Sequence, residues 1–60
     1  MIKYKYQVKV EGSIDTDGVY FVVAENRREA CYACERENNI RNSQSGTTYT
    51  AINIGEEDGK

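Results

Sequence analysis

The stretch VYFVVAENRREA, residues 19–30, decides the fold because it contains the end of one structural element and the start of the next. Residues 19–24 are β-branched, aromatic or small, and this composition predicts a β-strand. Asn26 stands three residues before Glu29, the spacing of a helix N-cap residue followed by a capping-box glutamate. The stretch therefore predicts a strand that passes directly into a helix.

The helix is expected to run from about Arg27 to Glu37 or Asn38. Asn38-Asn39 can end it, because asparagine tolerates the left-handed backbone conformation. At about 100° per residue, one stripe of the helix carries small side chains and has Cys31 at its edge. This stripe consists of Ala30, Ala33 and Cys34.

Two further strands lie on either side of this stretch in the sequence. Residues 2–10 alternate apolar and polar side chains, which is typical of a half-buried strand. Residues 11–18 contain turn signals and join the first strand to the second as a hairpin. After a polar loop at 41–46, residues 47–54 predict a third strand.

The element order is therefore β-β-α-β, and the fold class is α+β. A right-handed crossover through the helix predicts the sheet order 2-1-3, with the third strand parallel to the second. The helix then packs on one face of this three-stranded sheet. We expect a single compact domain over residues 1–54 and an acidic flexible tail over 55–60.

The second strand is apolar on both faces, and a single helix can cover only one of them. We expect it to cover Tyr20, Val22 and Ala24, because Ala24 leads directly into the helix start. The other strands are expected to add to this covered face Tyr4, Tyr6, Val8, Ile52 and Ile54. The uncovered face is expected to carry Lys3, Lys5, Lys9, Val19, Phe21, Val23, Tyr49 and Ala51.

An uncovered apolar patch usually marks an interaction surface, since each such side chain forgoes roughly 1.5–3 kcal/mol relative to burial. We therefore expect Phe21, Val23 and Tyr49 to contact another protein, or a second copy of the chain in a homodimer. The alternative is that long lysine side chains lie over the patch and shield it.

Tyr32 is expected on the charged side of the helix, with Arg28 and Arg36 four residues away in either direction. Arginine and tyrosine at this spacing often pack against each other locally. The same residue types are enriched at binding hot spots, so these three residues are also candidates for contact with a partner protein.

The lysines of the uncovered face suggest a different class of partner. Lys3, Lys5 and Lys9 would lie beside the aromatic rings of Phe21 and Tyr49. Basic side chains next to aromatic platforms can hold single-stranded nucleic acid. This is the alternative function, although the chain has no aromatic-glycine motif typical of RNA-binding sheets.

The pair Cys31 and Cys34 has the spacing of a redox or metal motif, CYAC. Cys31 is expected more than one turn inside the helix, where the helix N-terminus does not activate a thiol. A zinc site needs four ligands, and the sequence has no histidine and no third cysteine. Burial in the core is the main interpretation. A metal or disulfide shared between subunits and a redox function are the alternatives.

Composition argues against catalysis. The sequence has no histidine, the usual general base near neutral pH, and no glycine-rich phosphate loop or paired nucleophile and base. We expect no enzyme activity, cofactor or resident metal. The net charge of −2 disfavours generic binding to polyanions. No apolar run approaches the ~20 residues of a membrane span, and two cysteines without an export signal fit the cytoplasm.

The run V-x-A-E-N-x-x-E-A consists of Val22, Ala24, Glu25, Asn26, Glu29 and Ala30. With the lone β-β-α-β architecture and the acidic balance, it resembles small proteins of phages and mobile elements, including anti-CRISPR and other anti-defence inhibitors. The resemblance covers residues 2–54 as architecture and carries over no functional residue. It implies a viral protein that occludes or mimics a surface in the host cytoplasm, with its acidic tail or helix meeting a basic partner.

Overall fold

The computed structural model describes residues 2–56 and confirms the predicted α+β fold. The elements in chain order are β1 (Tyr4–Glu11), β2 (Gly18–Ala24), α1 (Arg27–Asn38) and β3 (Thr48–Glu56). The strands form one sheet in the order β2-β1-β3, as predicted. Since β1 pairs antiparallel with both neighbours, β2 and β3 run in the same direction.

The end of β3 differs from the prediction. The strand continues beyond residue 54 through Gly55 to Glu56, so the first part of the expected tail at 55–60 is paired with β1. The rest of that expected tail, residues 57–60, lies outside the described residues.

The β1–β3 ladder contains a β-bulge, whereas the β1–β2 ladder is continuous. Tyr6 pairs with Asn53. The preceding residue, Lys5, pairs with Gly55, which leaves Ile54 as the extra residue of the bulge. A bulge bends and twists its strand, so the outer edge of β3 is less regular than that of β2.

Both ends of α1 are capped by asparagine, as the sequence predicts. The side chain of Asn26 accepts a hydrogen bond from the backbone N–H of Glu29 at 2.9 Å. At the other end Asn39 adopts the left-handed conformation, with φ 52° and ψ 49°. The following residue, Ile40, donates its N–H to the carbonyl of Glu35 at 3.1 Å and is buried. This apolar residue after the cap anchors the helix end in the core.

The core lies between α1 and one face of the sheet, which we call the covered face. Its members are almost all aliphatic or small, and none of the buried residues of the described chain is polar or charged. They are Tyr6, Val8, Val10, Val22, Ala24, Ala30, Ala33, Cys34, Ile40 and Ala51.

The predicted orientation of β3 is wrong. Tyr49 and Ala51 lie on the covered face, while Ile52 and Ile54 are exposed. The register explains the orientation, because Ala51 pairs with the fully buried Val8 and shares its face. Tyrosine is tolerated at the core margin because its hydroxyl donates to a side-chain oxygen of the loop that precedes β3.

The loop between β1 and β2 is held by hydrogen bonds to a carboxylate. Asp17 accepts from the backbone N–H of Ser13 at 2.8 Å and of Gly12 at 3.2 Å, and also from the Ser13 hydroxyl. These bonds, the hydroxyl first, lower the pKa of Asp17. Ile14 donates its N–H to the carbonyl of Arg41 at 2.8 Å, which ties the loop to the segment after α1.

Candidate protein-interaction surface

The side of the sheet opposite α1, which we call the open face, has a large apolar content. It consists of Val19, Phe21 and Val23 from β2, of Lys5, Gln7, Lys9 and Glu11 from β1, and of Thr48, Thr50 and Ile52 from β3, with the exposed bulge residue Ile54 beside them. Phe21 is 62% exposed and Ile52 is 51% exposed. Five bulky apolar side chains are thus in contact with solvent on one surface of a small domain.

The strand register arranges the open face in stripes. Gln7 pairs with Phe21 on one side and with Ile52 on the other, and Lys9 pairs with Val19. The charged side chains therefore come from the central strand, and the bulky apolar ones come from the two outer strands. Because neighbouring strands lie about 4.8 Å apart, the apolar stripes are separated by roughly 10 Å.

The central stripe carries two lysines and, at its end, the carboxylate of Glu11. Lys5 and Lys9 both point to the open face and are exposed. Lys9 also lies 3.4 Å from the carboxylate of Glu11, and an exposed pair of this kind contributes little to stability. Lys3 precedes β1 and lines a groove beside α1. The predicted row of three lysines is therefore two residues on the open face and one at its margin.

Of the residues predicted to bind a partner from the sheet, the structure places two together. Phe21 and Val23 lie on the open face, as expected. The expectation for Tyr49 is wrong, because this residue is half-buried against the core on the opposite face. Its hydroxyl donates to Asn42 at 2.6 Å, and burial, followed by the nearby charge of Glu35, raises its pKa.

The three candidate residues of the helix form a separate surface. Tyr32, Arg28 and Arg36 are all exposed on α1, and Tyr32 is 54% exposed. Since α1 covers the other face of the sheet, these residues cannot join Phe21 in one flat contact surface. The structure thus divides the predicted site between two sides of the molecule.

Two open-face residues, Ile52 and Ile54, were assigned to the core by sequence reasoning. A signal for the true orientation of Ile52 is present at the start of the strand. Thr48 and Thr50 alternate with Tyr49 and Ala51, so continuing this alternation places Ile52 outward with the threonines. Ile54 is exposed at the bulge that follows. The open face is consequently more aliphatic and less aromatic than predicted.

Both cysteines are free thiols that pack at the inner side of α1. Cys34 is fully buried and Cys31 is half-buried at the edge of the core, as the helical spacing predicts. Burial raises the pKa of Cys31, and the positive charge of Arg27 lowers it by a smaller amount. Burial also raises the pKa of Cys34, with the nearby Cys31 as the next cause. Both thiols therefore stay protonated near neutral pH, which fits packing rather than nucleophilic chemistry.

Among residues 2–56, no three histidine, cysteine, aspartate or glutamate side chains are grouped so that they could hold a metal ion. The described helix, with 12 residues, is too short to cross a membrane.

Comparison of the chain with protein-family models, with curated proteins and with solved structures gave no match. The functional argument therefore depends on the geometry and chemistry of the surface itself.

Proposed function

We propose that the chain is a small, non-catalytic protein-binding module whose open face contacts an apolar surface flanked by acidic side chains. The observation that carries this proposal is the exposure of five bulky apolar residues on a sheet face that no described element covers. A partner that buries them gains roughly 1.5–3 kcal/mol for each side chain that becomes fully enclosed. Large apolar side chains gathered on one exposed face of a small domain usually mark an interaction surface.

The charge of the central stripe indicates the chemistry of the partner. Lys5 and Lys9 lie between the two apolar stripes, and Lys9 already pairs with Glu11, so a contacting surface must chiefly place groups against the ammonium ion of Lys5. Carboxylates complement these charges and fix the orientation of the partner, whereas a basic surface is repelled. The partner is therefore expected to present aspartate or glutamate within an apolar patch.

The alternative of single-stranded nucleic acid loses support from the orientation of β3. Nucleic-acid-binding sheets rely on aromatic rings on which bases stack. Tyr49 lies on the covered face, which leaves Phe21 as the one aromatic residue of the open face among residues 2–56. Ile52 and Ile54 take the exposed positions instead, and aliphatic side chains favour contact with protein.

The proposed mode of action is occlusion, in which the chain occupies a surface that its partner needs for another interaction. This mode requires no catalytic group. It is also the mode implied by the resemblance to anti-defence inhibitors of phages, and we include action as such an inhibitor in the host cytoplasm in the proposal.

Affinity capture from cells that naturally produce the chain tests the open face. The variant Phe21→Thr/Ile52→Thr removes one large apolar group from each outer strand and keeps strand-compatible residues. Tyr32→Thr is the matched control, because Tyr32 is similarly exposed but lies on α1. We expect the wild type and Tyr32→Thr to retain the same partner and the double variant to lose it. Retention by the double variant together with loss by Tyr32→Thr contradicts the proposal.

Fluorescence anisotropy with a labelled single-stranded oligonucleotide at low salt tests the alternative. We expect no saturable binding by the wild type. Salt-sensitive binding that is abolished in Lys5→Glu/Lys9→Glu would instead assign the open face to nucleic acid.

A further inference from the structure

The two outer strands differ in how their free edges are protected. The edge of β3 is interrupted by the bulge at Ile54 and by Gly55, whose φ of 143° suits glycine. The edge strand β2, Gly18–Ala24, pairs without interruption along its whole length and contains no proline and no charged residue. Charges, prolines and bulges are the usual devices that prevent an edge strand from pairing with another chain. The β2 edge has none of them.

We propose that β2 pairs edge to edge with β2 of a second copy, antiparallel and about a two-fold axis at Phe21. The strand runs from Gly18 to Ala24, so Phe21 is its central residue. With this register Phe21 lies opposite Phe21 of the second copy, and Val19 lies opposite Val23. The two sheets then join into one continuous sheet of six strands, which closes with two-fold symmetry.

The side chains of β2 are symmetric about this axis. On the open face the strand reads Val19, Phe21, Val23, a sequence that is the same in both directions. Every open-face pair across the edge is therefore apolar, and the central pair is aromatic. Cross-strand pairs of aromatic and β-branched residues each contribute roughly 0.2–1 kcal/mol relative to alanine.

The arrangement of lysines argues against the other symmetric dimer, in which two open faces stack. Lys5 and Lys9 occupy the central stripe of the open face, so stacking would bring the ammonium groups of two copies together. Edge pairing keeps the two lysine stripes apart, because β2 of each copy lies between them.

The helix flank beside β2 is also compatible with this pairing. Glu29, Ala33 and Arg36 line a groove together with Val23 and Ala24 of β2. In the two-fold dimer the helices lie antiparallel on the same face of the joined sheet. The exposed Glu29 and Arg36 then lie on the flank of α1 beside β2, where they carry opposite charges toward the second copy.

Dimerisation through β2 does not depend on the proposed function. It leaves the open faces accessible and places six apolar β2 side chains at the centre of one surface, with the lysine stripes on either side. A single edge contact belongs to the small end of the range of interface sizes, where weak and transient association is usual, so we expect a dimer that forms at micromolar concentrations.

Sedimentation equilibrium from low to high micromolar concentration, with reducing agent present, tests the proposal. We expect the wild type to pass from monomer to dimer. Phe21→Lys places two like charges at the axis and is expected to weaken the dimer at least about tenfold. Ile52→Lys is the matched control, because it adds the same charge to the same face at the other outer strand, and it should dimerise like the wild type.

A mixture of Phe21→Lys and Phe21→Glu tests the register, because opposite charges then meet at the axis. We expect the mixture to dimerise while each variant alone remains monomeric and folded by circular dichroism. A wild type that is monomeric throughout overturns the proposal. It is equally overturned if Ile52→Lys dissociates the dimer as strongly as Phe21→Lys, or if the mixture fails to associate.

Discussion

The two faces of β2 have similar apolar side chains but opposite environments. Val22 is 4% exposed beneath α1, whereas Val19, on the same strand, is 50% exposed. The side chains are identical, so the difference arises from the single helix, which covers only one face. The comparison shows that apolar residues on an outer strand are not all part of the core. In a chain of 60 residues, the number of covering elements decides how many of them can be buried.

The covered face supports folding, and we infer that the open face is reserved for contact with other molecules. If so, substitutions of similar size on the two faces have different consequences. Those on the covered face reduce the free energy of unfolding, and those on the open face reduce association.

The largest expected effect compares an aromatic residue on each face. Tyr6 is buried on the covered face, and Phe21 is exposed on the open face. Tyr6→Thr is expected to lower the free energy of unfolding by about 3–5 kcal/mol, because it leaves a cavity in the core. Phe21→Thr is expected to lower it by about 1 kcal/mol or less, since most of the ring is already in water. Urea unfolding at a concentration where the chain is monomeric measures both. If both variants lose the same unfolding free energy, the two faces do not differ in their contribution to stability.

The sequence correctly predicted β1 and both ends of α1, because local sequence signals specify each of them. The alternation of β1, the Asn26 cap and the Asn39 stop each identify an element, because each rests on interactions within a few residues. The sheet order followed from connection length and handedness.

The orientation of β3 was not predicted correctly, because its apolar residues occur at both odd and even positions. The alternation of threonines at the start of the strand favours the observed orientation, and the pairing of Ala51 with Val8, which is a long-range property, fixes it. Tyr49 was misplaced for the same reason. Its buried position depends on a hydrogen-bond partner, Asn42, in a loop of no recognisable pattern.

A smaller effect is expected at the start of the element that covers the sheet. Asn26→Ala removes the side-chain acceptor for the Glu29 N–H and is expected to cost about 1 kcal/mol. Asn26→Ser keeps an acceptor and should restore most of the loss. Thermal unfolding of the two variants measures the difference. If Asn26→Ala and Asn26→Ser unfold at the same temperature, packing alone determines where α1 begins.

The smallest expected effect concerns the loop that joins β1 and β2. The pKa of Asp17 is lowered in the folded chain from the ordinary 3.8, because Ser13 and Gly12 donate hydrogen bonds to the carboxylate. Its contribution to stability is therefore present above the unfolded pKa and is lost as the pH falls through the folded pKa. We expect Asp17→Asn to be less stable than the wild type at neutral pH, and the difference to shrink in acid.

Urea unfolding at several pH values tests this sign. Glu37→Gln removes the same charge from the exposed surface of α1 and controls for net charge, whereas Asp15 is unsuitable because its carboxylate pairs with Arg41 at 2.7 Å. A difference between wild type and Asp17→Asn that grows as the pH falls would show that the carboxylate does not hold the loop.

Site-specific photo-crosslinking in cells that produce the chain tests the central claim most directly. A benzophenone amino acid is placed at position 52, which lies on the open face, or at position 32, which is similarly exposed on α1. We predict a crosslinked product with a second protein from position 52, distinct in mass from a dimer of the chain itself, and none from position 32. Crosslinking from position 32 alone, or from neither position, would contradict the assignment of the open face as the binding surface.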